Sequence, residues 1–284
     1  MIVAEQVSDV RRAVREARGR NCAVGCVPTM GALHAGHESL IRASREECGF
    51  TAVTIFVNPK QFGPHEDFSR YPRPLEDDLA RCRTAGVDLV FVPTVETLYP
   101  AGFSTYVDVE PLSQIWEGAS RPGHFRGVAT VVLKLLNIVQ PDRAYFGRKD
   151  FQQQLLVRKM CCELDLPVEI RTCPTLREPD GLALSSRNRY LDPDQRQTAL
   201  SLYRCLQLAQ ERLQHGKQDA RAVAREMREL LEAAGARPDY AVIADAESLE
   251  ELAVPSPHMV ALVAAHVGRT RLIDNWPITI EPGS

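Results

Sequence analysis

His34 and His37 stand three residues apart in the stretch Pro28-Thr29-Met30-Gly31-Ala32-Leu33-His34-Ala35-Gly36-His37. An apolar run precedes them and a helix-periodic run follows. They fall at a strand-to-helix junction, where unpaired backbone N–H groups and the helix dipole favour an anion. Gly31 and Gly36 let the backbone approach a ligand closely. If the helix begins in this turn the two imidazoles share a face, and two ring donors at a helix N-terminus suit phosphate oxygens. Read alone, the pair is equally two surface histidines in a turn. Metal ligation has less in its favour, because no third ligand stands at a recognisable spacing and no H-E-x-x-H occurs.

Two further groups carry the same chemistry. Leu184-Ser185-Ser186-Arg187-Asn188 follows the turn Asp180-Gly181 and offers two hydroxyls and a guanidinium, which can wrap a triphosphate through charge-assisted hydrogen bonds. On its own such a segment is a solvated helix cap. Gly147-Arg148-Lys149-Asp150 follows an apolar run ending at Phe146. Lys149 is a natural phosphate ligand, and Asp150 can hold Mg²⁺, cap the next helix, or do both.

The elements that must position these groups follow from hydrophobic periodicity. Met1 to Arg20 is charged and helical in pattern, with Val7, Val10, Val14 and Ala17 at helical spacing. Cys22–Val27 reads as a buried strand ended by Pro28, His37–Cys48 as a helix, and Ala52–Val57 as a strand stopped by Asn58-Pro59. A helix over Leu75–Ala85, strands over Asp88–Val92 and near Thr105–Val109, a helix over Val128–Val139, a strand over Arg143–Phe146 and a helix over Phe151–Cys162 continue the alternation. This pattern predicts an α/β, Rossmann-like parallel sheet, with ligands at the rim where the strands end. Past about Pro174 the pattern changes to two long amphipathic helices, Pro193–His215 and Asp219–Ala234, and two strands, Asp239–Ala244 and Met259–Val267. That is a smaller α+β domain, and the boundary falls near 173–176.

Composition excludes several classes. With 44% apolar and 25% charged residues over 284 positions, the chain is an ordinary globular protein of about two domains. Its net charge of −3 gives no generic polyanion-binding surface, so no nucleic-acid partner is expected. The longest apolar stretch, Gly127–Val139, contains Lys134 and is too short to span a membrane. No apolar leader segment stands at the N-terminus, which makes the cytoplasm the expected compartment. Cys22, Cys26, Cys48, Cys82, Cys161, Cys162, Cys173 and Cys205 form no C-x-x-C pair and read as buried free thiols.

The three groups, in this order, resemble the nucleotidyltransferase superfamily. The specific resemblance is to the pantothenate synthetase (pantoate–β-alanine ligase) family. It is carried by PTMGALHAGH at 28–37, FVNPKQFGP at 56–64, DFSRYPR at 67–73, RPGHFRGVATVV at 121–132, YFGRKDFQQ at 145–153 and DGLALSSRN at 180–188. It runs from about residue 21 to 190, with a weaker echo at Pro238-Asp239-Tyr240.

The resemblance implies a reaction in which ATP and pantoate form an acyl-adenylate with loss of pyrophosphate, and β-alanine then displaces AMP. It implies an ATP- and pantoate-binding domain over 1–174 and a C-terminal domain over 175–284 that lids the site. ATP would meet Met30, Gly31, Ala32, Leu33, His34, Ala35, Gly36 and His37, with His37 the proton donor or phosphate-stabilising ring. ATP would also meet Gly147, Arg148, Lys149, Asp150, Leu176, Leu184, Ser185, Ser186 and Arg187. Asp150 would belong to the Mg²⁺ environment, pantoate would sit against Gln61 and Gln153, and Gln61 would also lie near β-alanine. Met30 and Asn58 would be further members of the pocket wall. A homodimer built on the N-terminal domains is implied as well.

The residues agree with that chemistry. Carboxylate attack on the α-phosphorus needs no protein nucleophile, only in-line placement and neutralisation of phosphoryl charge. His34, His37, Lys149, Ser185, Ser186 and Arg187 supply the neutralisation. Neutral amides orient hydroxyls without adding charge, although Gln61 and Gln153 would otherwise pass for surface glutamines. Arg121, His124 and Arg126 form a basic Gly/Pro-bounded segment that reaches the site, makes a subunit contact or is simply solvated. His65, His215, His258 and His266 have structural readings only. The rival functions are an adenylyltransferase of the same fold, which stops at AMP transfer to a phosphorylated acceptor, and a nucleotide- or RNA-binding module without catalysis.

Overall fold

The structure is a computed structural model that describes residues 1–64, 66, 68–216 and 219–280. His65 lies outside the described residues. The chain divides into two compact units, one of 1–148 with 153–174 and one of 149–152 with 175–284. The second unit thus takes in four residues from within the G-R-K-D-F-Q-Q run.

The first unit is built from β1 (Ile2–Ala4), α1 (Val7–Gly19), β2 (Val24–Thr29), α2 (Ala35–Glu47), β3 (Phe50–Ile55), α3 (Leu75–Thr84), β4 (Leu89–Phe91), α4 (Val95–Leu98), α5 (Glu117–Ser120), α6 (His124–Val139), β5 (Arg143–Gly147), α7 (Phe151–Glu163) and β6 (Glu169–Cys173). Its six strands lie in the order β1-β4-β3-β2-β5-β6, and every pairing is parallel. All six residues of β3 are buried, the near-continuous apolar run of a strand covered on both faces. From β2 the chain steps outward through β3 to β4, then returns to place β5 on the other side of β2. Right-handed crossovers therefore put α2 and α3 on one face and α1, α6 and α7 on the other. Val27, Leu40, Ile41, Val53, Leu79 and Val90 form the core under α2 and α3.

The reversal between β2 and β5 is a topological switch point, where α/β sheets bind ligands. Pro28 marks it. The Val24 carbonyl accepts from Asp142 N on the β5 side, so by strand alternation the nitrogen of Pro28 faces β5 too. The β2–β5 ladder stops at Cys26. Pro28 therefore stays inside a central strand, because its missing N–H falls where the two strands have already parted. It does not end the strand, as the sequence suggested.

The second unit contains α8 (Pro193–Gln214), α9 (Ala220–Ala233) and an antiparallel sheet of β7 (Arg237–Asp245), β8 (His258–Val267) and β9 (Thr270–Thr279), in the order β7-β8-β9. Asp192 and Gln195 form a reciprocal cap at the start of α8, with Pro193 in its first turn. Leu202, Leu206, Leu213, Met227, Leu231, Ile243 and Val263 fill the core between helices and sheet.

Four expectations change. The expected strand near Thr105–Val109 is irregular chain, because Val107 N donates to Thr130 Oγ1 of α6 rather than to a neighbouring strand. β1 precedes the first helix, within a stretch that reads as helical throughout. β9 is a strand despite Asp274, Asn275 and Pro277, since Pro277 sits on an edge strand. The cysteines are all free, but Cys162 is exposed.

Candidate active site

Three rim segments of the first unit leave the C-terminal ends of β2, β3 and β5. After β2, the turn is held from beneath by Asp78 of α3, a side chain only 1% exposed. Its carboxylate accepts from Ala32 N at 2.8 Å and Leu33 N at 2.7 Å. These bonds hold Gly31 and Ala32 in left-handed backbone, with φ of 81° and 50°, a conformation that costs a non-glycine residue roughly 1–2 kcal/mol. Thr29 Oγ1 closes the turn, donating to Thr54 O at 2.8 Å and accepting from Gly31 N at 3.1 Å.

His34 is the N-cap of α2, and the pair forms a capping box made of imidazoles. Gly36 N donates to His34 Nδ1 at 3.1 Å and His34 N to His37 Nδ1 at 3.4 Å. Their ring centroids are 4.2 Å apart. The two rings meet across the helix start rather than side by side on a helical face. With Nδ1 of each accepting, the neutral rings carry their protons on Nε2.

After β3, Asn58 and Gln61 bracket a single 3-10 turn. Asn58 is buried and its amide is fully engaged. Nδ2 donates to Gln61 Oε1 at 3.0 Å and Gly127 O at 3.1 Å, while Oδ1 accepts from Lys60 N and from the Tyr99 hydroxyl. Gln61 is 8% exposed, so it is no surface glutamine. Its Nε2 donates to Met30 Sδ at 3.1 Å, joining the turn after β2 to the turn after β3. A thioether is a weak acceptor, and a ligand oxygen would take this donor at a net gain. Lys60 lies among Tyr99, Phe103 and Tyr106, with its ammonium 2.8 Å from the Tyr106 hydroxyl.

The basic segment 121–126 is not a solvated loop. His124 and Arg126 belong to the first turn of α6, and His124 is buried. Arg126 covers the Tyr106 ring at 4.4 Å. At the end of β5, Gly147 pairs with Cys173 and Arg148 N donates to Cys173 O. Gln153 is half-buried in α7.

Within the second unit, Leu184 N donates to Leu176 O at 2.9 Å and Arg177 pairs with Ala183. A tight antiparallel turn thereby brings together two residues eight positions apart that the resemblance implicates. Ser185 caps the 3-10 turn Ser186–Tyr190 by accepting from Arg187 N. Asn188 ties that turn back, donating to Glu178 Oε1 and Ala183 O, both at 3.0 Å. Arg177 lies over Tyr203 and Trp276 and forks onto the buried Asp274 at 2.6 and 3.0 Å. Burial pushes the Asp274 carboxyl upward, against the pull of Arg177 and Lys149. The next residue, Asn275, donates from Nδ2 to Lys149 O at 2.8 Å. Sequence reasoning missed this β9 pair, since nothing in I-D-N-W marks a partner for distant residues.

Lys149 Nζ stands 3.4 Å from Asp150 Oδ1, with the Asp150 side chain 49% exposed. Among the described residues, no group of three or more His, Cys, Asp or Glu is placed to hold a metal ion. A single accessible carboxylate fits Mg²⁺ carried on nucleotide phosphates, which keeps water and phosphate oxygens as most of its ligands. Among the described residues no helix is long and apolar enough to cross a membrane.

A parallel sheet whose switch point carries a histidine-capped helix start and a buried amide has the architecture of a ligand-binding α/β enzyme. The chain belongs to the pantoate–β-alanine ligase family, whose profile matches residues 2–277. It is 53% identical over 282 residues to a pantothenate synthetase of Moorella thermoacetica, covering 99% of this chain and 100% of that one. A crystal structure of the Thermus thermophilus pantothenate synthetase superposes with a TM-score of 0.91 at 49% identity, covering 97% and 99% of the two chains. A Francisella tularensis pantoate–β-alanine ligase, complexed with a β,γ-ATP compound and β-alanine, superposes with a TM-score of 0.79 at 34% identity, covering 97% of each chain.

Proposed function

We propose that this enzyme condenses pantoate with β-alanine, at the expense of ATP, through an enzyme-bound pantoyl-adenylate. The observation that carries this reading is the Gln61–Met30 contact, which sets a buried neutral amide beside the histidine-capped turn. An uncharged amide orients a hydroxyl-rich acid, and the capped turn neutralises phosphate.

In the first step a pantoate carboxylate oxygen attacks the α-phosphorus, a new P–O bond forms, and the bond to pyrophosphate breaks. His34 and His37 donate from Nε2 to phosphate oxygens as charge develops. Lys149 and Arg187 balance the phosphates, Ser185 and Ser186 donate to them, and the backbone from Met30 to His37, from Gly147 to Asp150 and at Leu176 and Leu184 lines the nucleotide. Gln61 and Gln153 hold pantoate, and Asn58 acts by holding Gln61. Asp150 would hold Mg²⁺, which when bound shields the phosphate charge. In the second step the β-alanine nitrogen attacks the acyl carbon, a C–N bond forms as the bond to AMP breaks, and the amine's proton passes to the departing phosphate or to water.

The 175–284 segment serves as a lid over the nucleotide, a role supported by its carrying Ser185, Ser186 and Arg187. The enzyme works in the cytoplasm as a homodimer; the dimer is supported by the family resemblance and is checked by sedimentation of the purified protein. Product analysis tests the function. Incubation with ATP, Mg²⁺, pantoate and β-alanine yields AMP and one equivalent of amide. A stable adenylylated product without amide would point instead to an adenylyltransferase.

A further inference from the structure

Arg121 to Gly127 is the motif that the proposed reaction leaves without work. In the fold it becomes the seat of Gln61. His124, only 7% exposed, places Nδ1 2.8 Å from the Gln61 carbonyl oxygen and Nε2 3.1 Å from Arg121 Nη1. A guanidinium has donors only, so Nε2 must accept, and the ring proton must sit on Nδ1, which donates to the Gln61 carbonyl. Arg121 is itself fixed by a fork onto Glu66, from Nε at 2.8 Å and Nη2 at 2.6 Å, with Glu117 3.6 Å from Nη1. One helical turn on, Gly127 O accepts from Asn58 Nδ2. A Cβ at Gly127 would lie 2.2 Å from Lys60 O and 2.7 Å from Gln61 Cα, so only glycine lets α6 come this close to the Lys60–Gln61 turn.

We infer that His124 is a positioning residue of the ligase, holding Gln61 at the acid substrate through the hydrogen bond from its Nδ1 to the Gln61 carbonyl, with Arg121 fixing the tautomer. The inference rests on the assignment of Gln61 to pantoate. His124 acts through Gln61 and not on the reacting atoms. A buried carbonyl in a single 3-10 turn has no helical donor to satisfy it, and losing its one side-chain donor would let the turn relax. Among the described residues, the charged groups acting on the ring are Arg121, Glu117 and Glu66. Burial and the neighbouring Arg121 hold His124 down at about 4, so the ring stays neutral, with the Nδ1 proton in place, throughout the neutral range.

Three variants of the full chain test this, with pantoate and ATP titrated separately and folding followed by thermal denaturation. His124→Leu fills the volume without a donor and should raise the pantoate KM ~10-fold, the scale of one buried hydrogen bond, while the ATP KM stays put. His124→Asn places an N–H where Nδ1 was and should restore most of the loss. His124→Gln reaches the Nε2 position instead and should not; comparing it with His124→Asn decides the matter if His124→Leu fails to fold. A folded His124→Leu enzyme with an unchanged pantoate KM would overturn the inference, as would His124→Asn performing no better than His124→Gln. Gln61→Ala separates the layers. A raised pantoate KM there, with no further increase on adding His124→Leu, supports action through Gln61. An unchanged pantoate KM in Gln61→Ala would overturn the assignment of Gln61 and this inference with it.

Discussion

Asp78 and Leu33 are 45 residues apart in sequence, yet the Asp78 carboxylate accepts from Leu33 N at 2.7 Å while its other oxygen takes Ala32 N. One buried side chain of α3 therefore sets the backbone of the turn that presents His34 and His37. The carboxylate lies buried under the turn and is engaged by two backbone donors.

Asp78→Ala should therefore harm both fold and chemistry. One buried and one half-buried N–H lose their acceptor, costing about 3 kcal/mol of stability, and a turn displaced by about 1 Å costs ~10²-fold in adenylation. Asp78→Asn keeps an acceptor for one of the two and should fall between. Urea unfolding alongside pyrophosphate exchange checks this, and a wild-type turnover number in Asp78→Ala would contradict it.

His37→Ala, Lys149→Ala and Arg187→Ala should each cut adenylate formation by ~10²–10³-fold, the usual loss for one donor to developing phosphoryl charge. The melting temperature should change little in Lys149→Ala and Arg187→Ala, whose side chains belong to neither core described above, whereas His37→Ala also loses its half of the cap on α2, about 1 kcal/mol. Single-turnover measurement of pyrophosphate release is the direct readout. Gln153→Ala should differ in kind, raising the pantoate KM and leaving the ATP KM alone.

Much of this site is legible in the chain itself, because short-range patterns announce it. The strand, glycine turn and histidine pair predict a strand-to-helix junction at these residues, and the structure has β2 end at Thr29 and α2 begin at Ala35 with His34 as its N-cap. Their mutual geometry was not legible. The pair forms a reciprocal cap instead of sharing a helical face, since the helix begins at Ala35. Long-range partners were the least visible: Asp78 under the turn, His124 behind Gln61, and Asp274 with Asn275 behind Arg177 and Lys149. Each is a lone polar residue inside an element of ordinary pattern, and nothing local says where it points. The strands β1, β6 and β9 escaped for a related reason. β6 and β9 are edge strands, which need no continuous apolar run, while β1 is apolar throughout but stands in a stretch that reads as helical.

The Arg177–Asp274 pair predicts a stability effect in the second unit. The side chains are 15% and 3% exposed, and removing one partner strands a buried charge. Asp274→Ala should cost about 3–5 kcal/mol. Because Asn275 holds Lys149 O from the next position, it should also weaken ATP binding. Chemical denaturation of the single and double variants checks the pairing: Arg177→Met with Asp274→Leu should recover part of the loss seen in Asp274→Ala.

His124 predicts a pH effect on stability. Its pKa falls from 6.5 in the unfolded chain to about 4 in the fold, chiefly through burial and then through Arg121. A group lowered on folding binds more protons in the unfolded state between those values, so stability rises with pH across that window and is lost as pH falls from about 6.5 towards 4. The full effect is about 3 kcal/mol. Glu66 adds to it in the same direction at lower pH. Burial alone would raise its carboxyl, and Arg121 together with His124 more than reverses that. Urea denaturation at pH 4.5 and 7 should show a smaller pH difference in His124→Asn than in the parent; equal differences would contradict the assignment.

In the proposed reaction the acyl-adenylate forms before the amine arrives. Isotope exchange between labelled pyrophosphate and ATP, with Mg²⁺ and pantoate present and β-alanine withheld, tests it most directly. Exchange should depend on pantoate and fall ~10²–10³-fold in His37→Ala. Exchange that appears only when β-alanine is added, or that proceeds without pantoate, would contradict it.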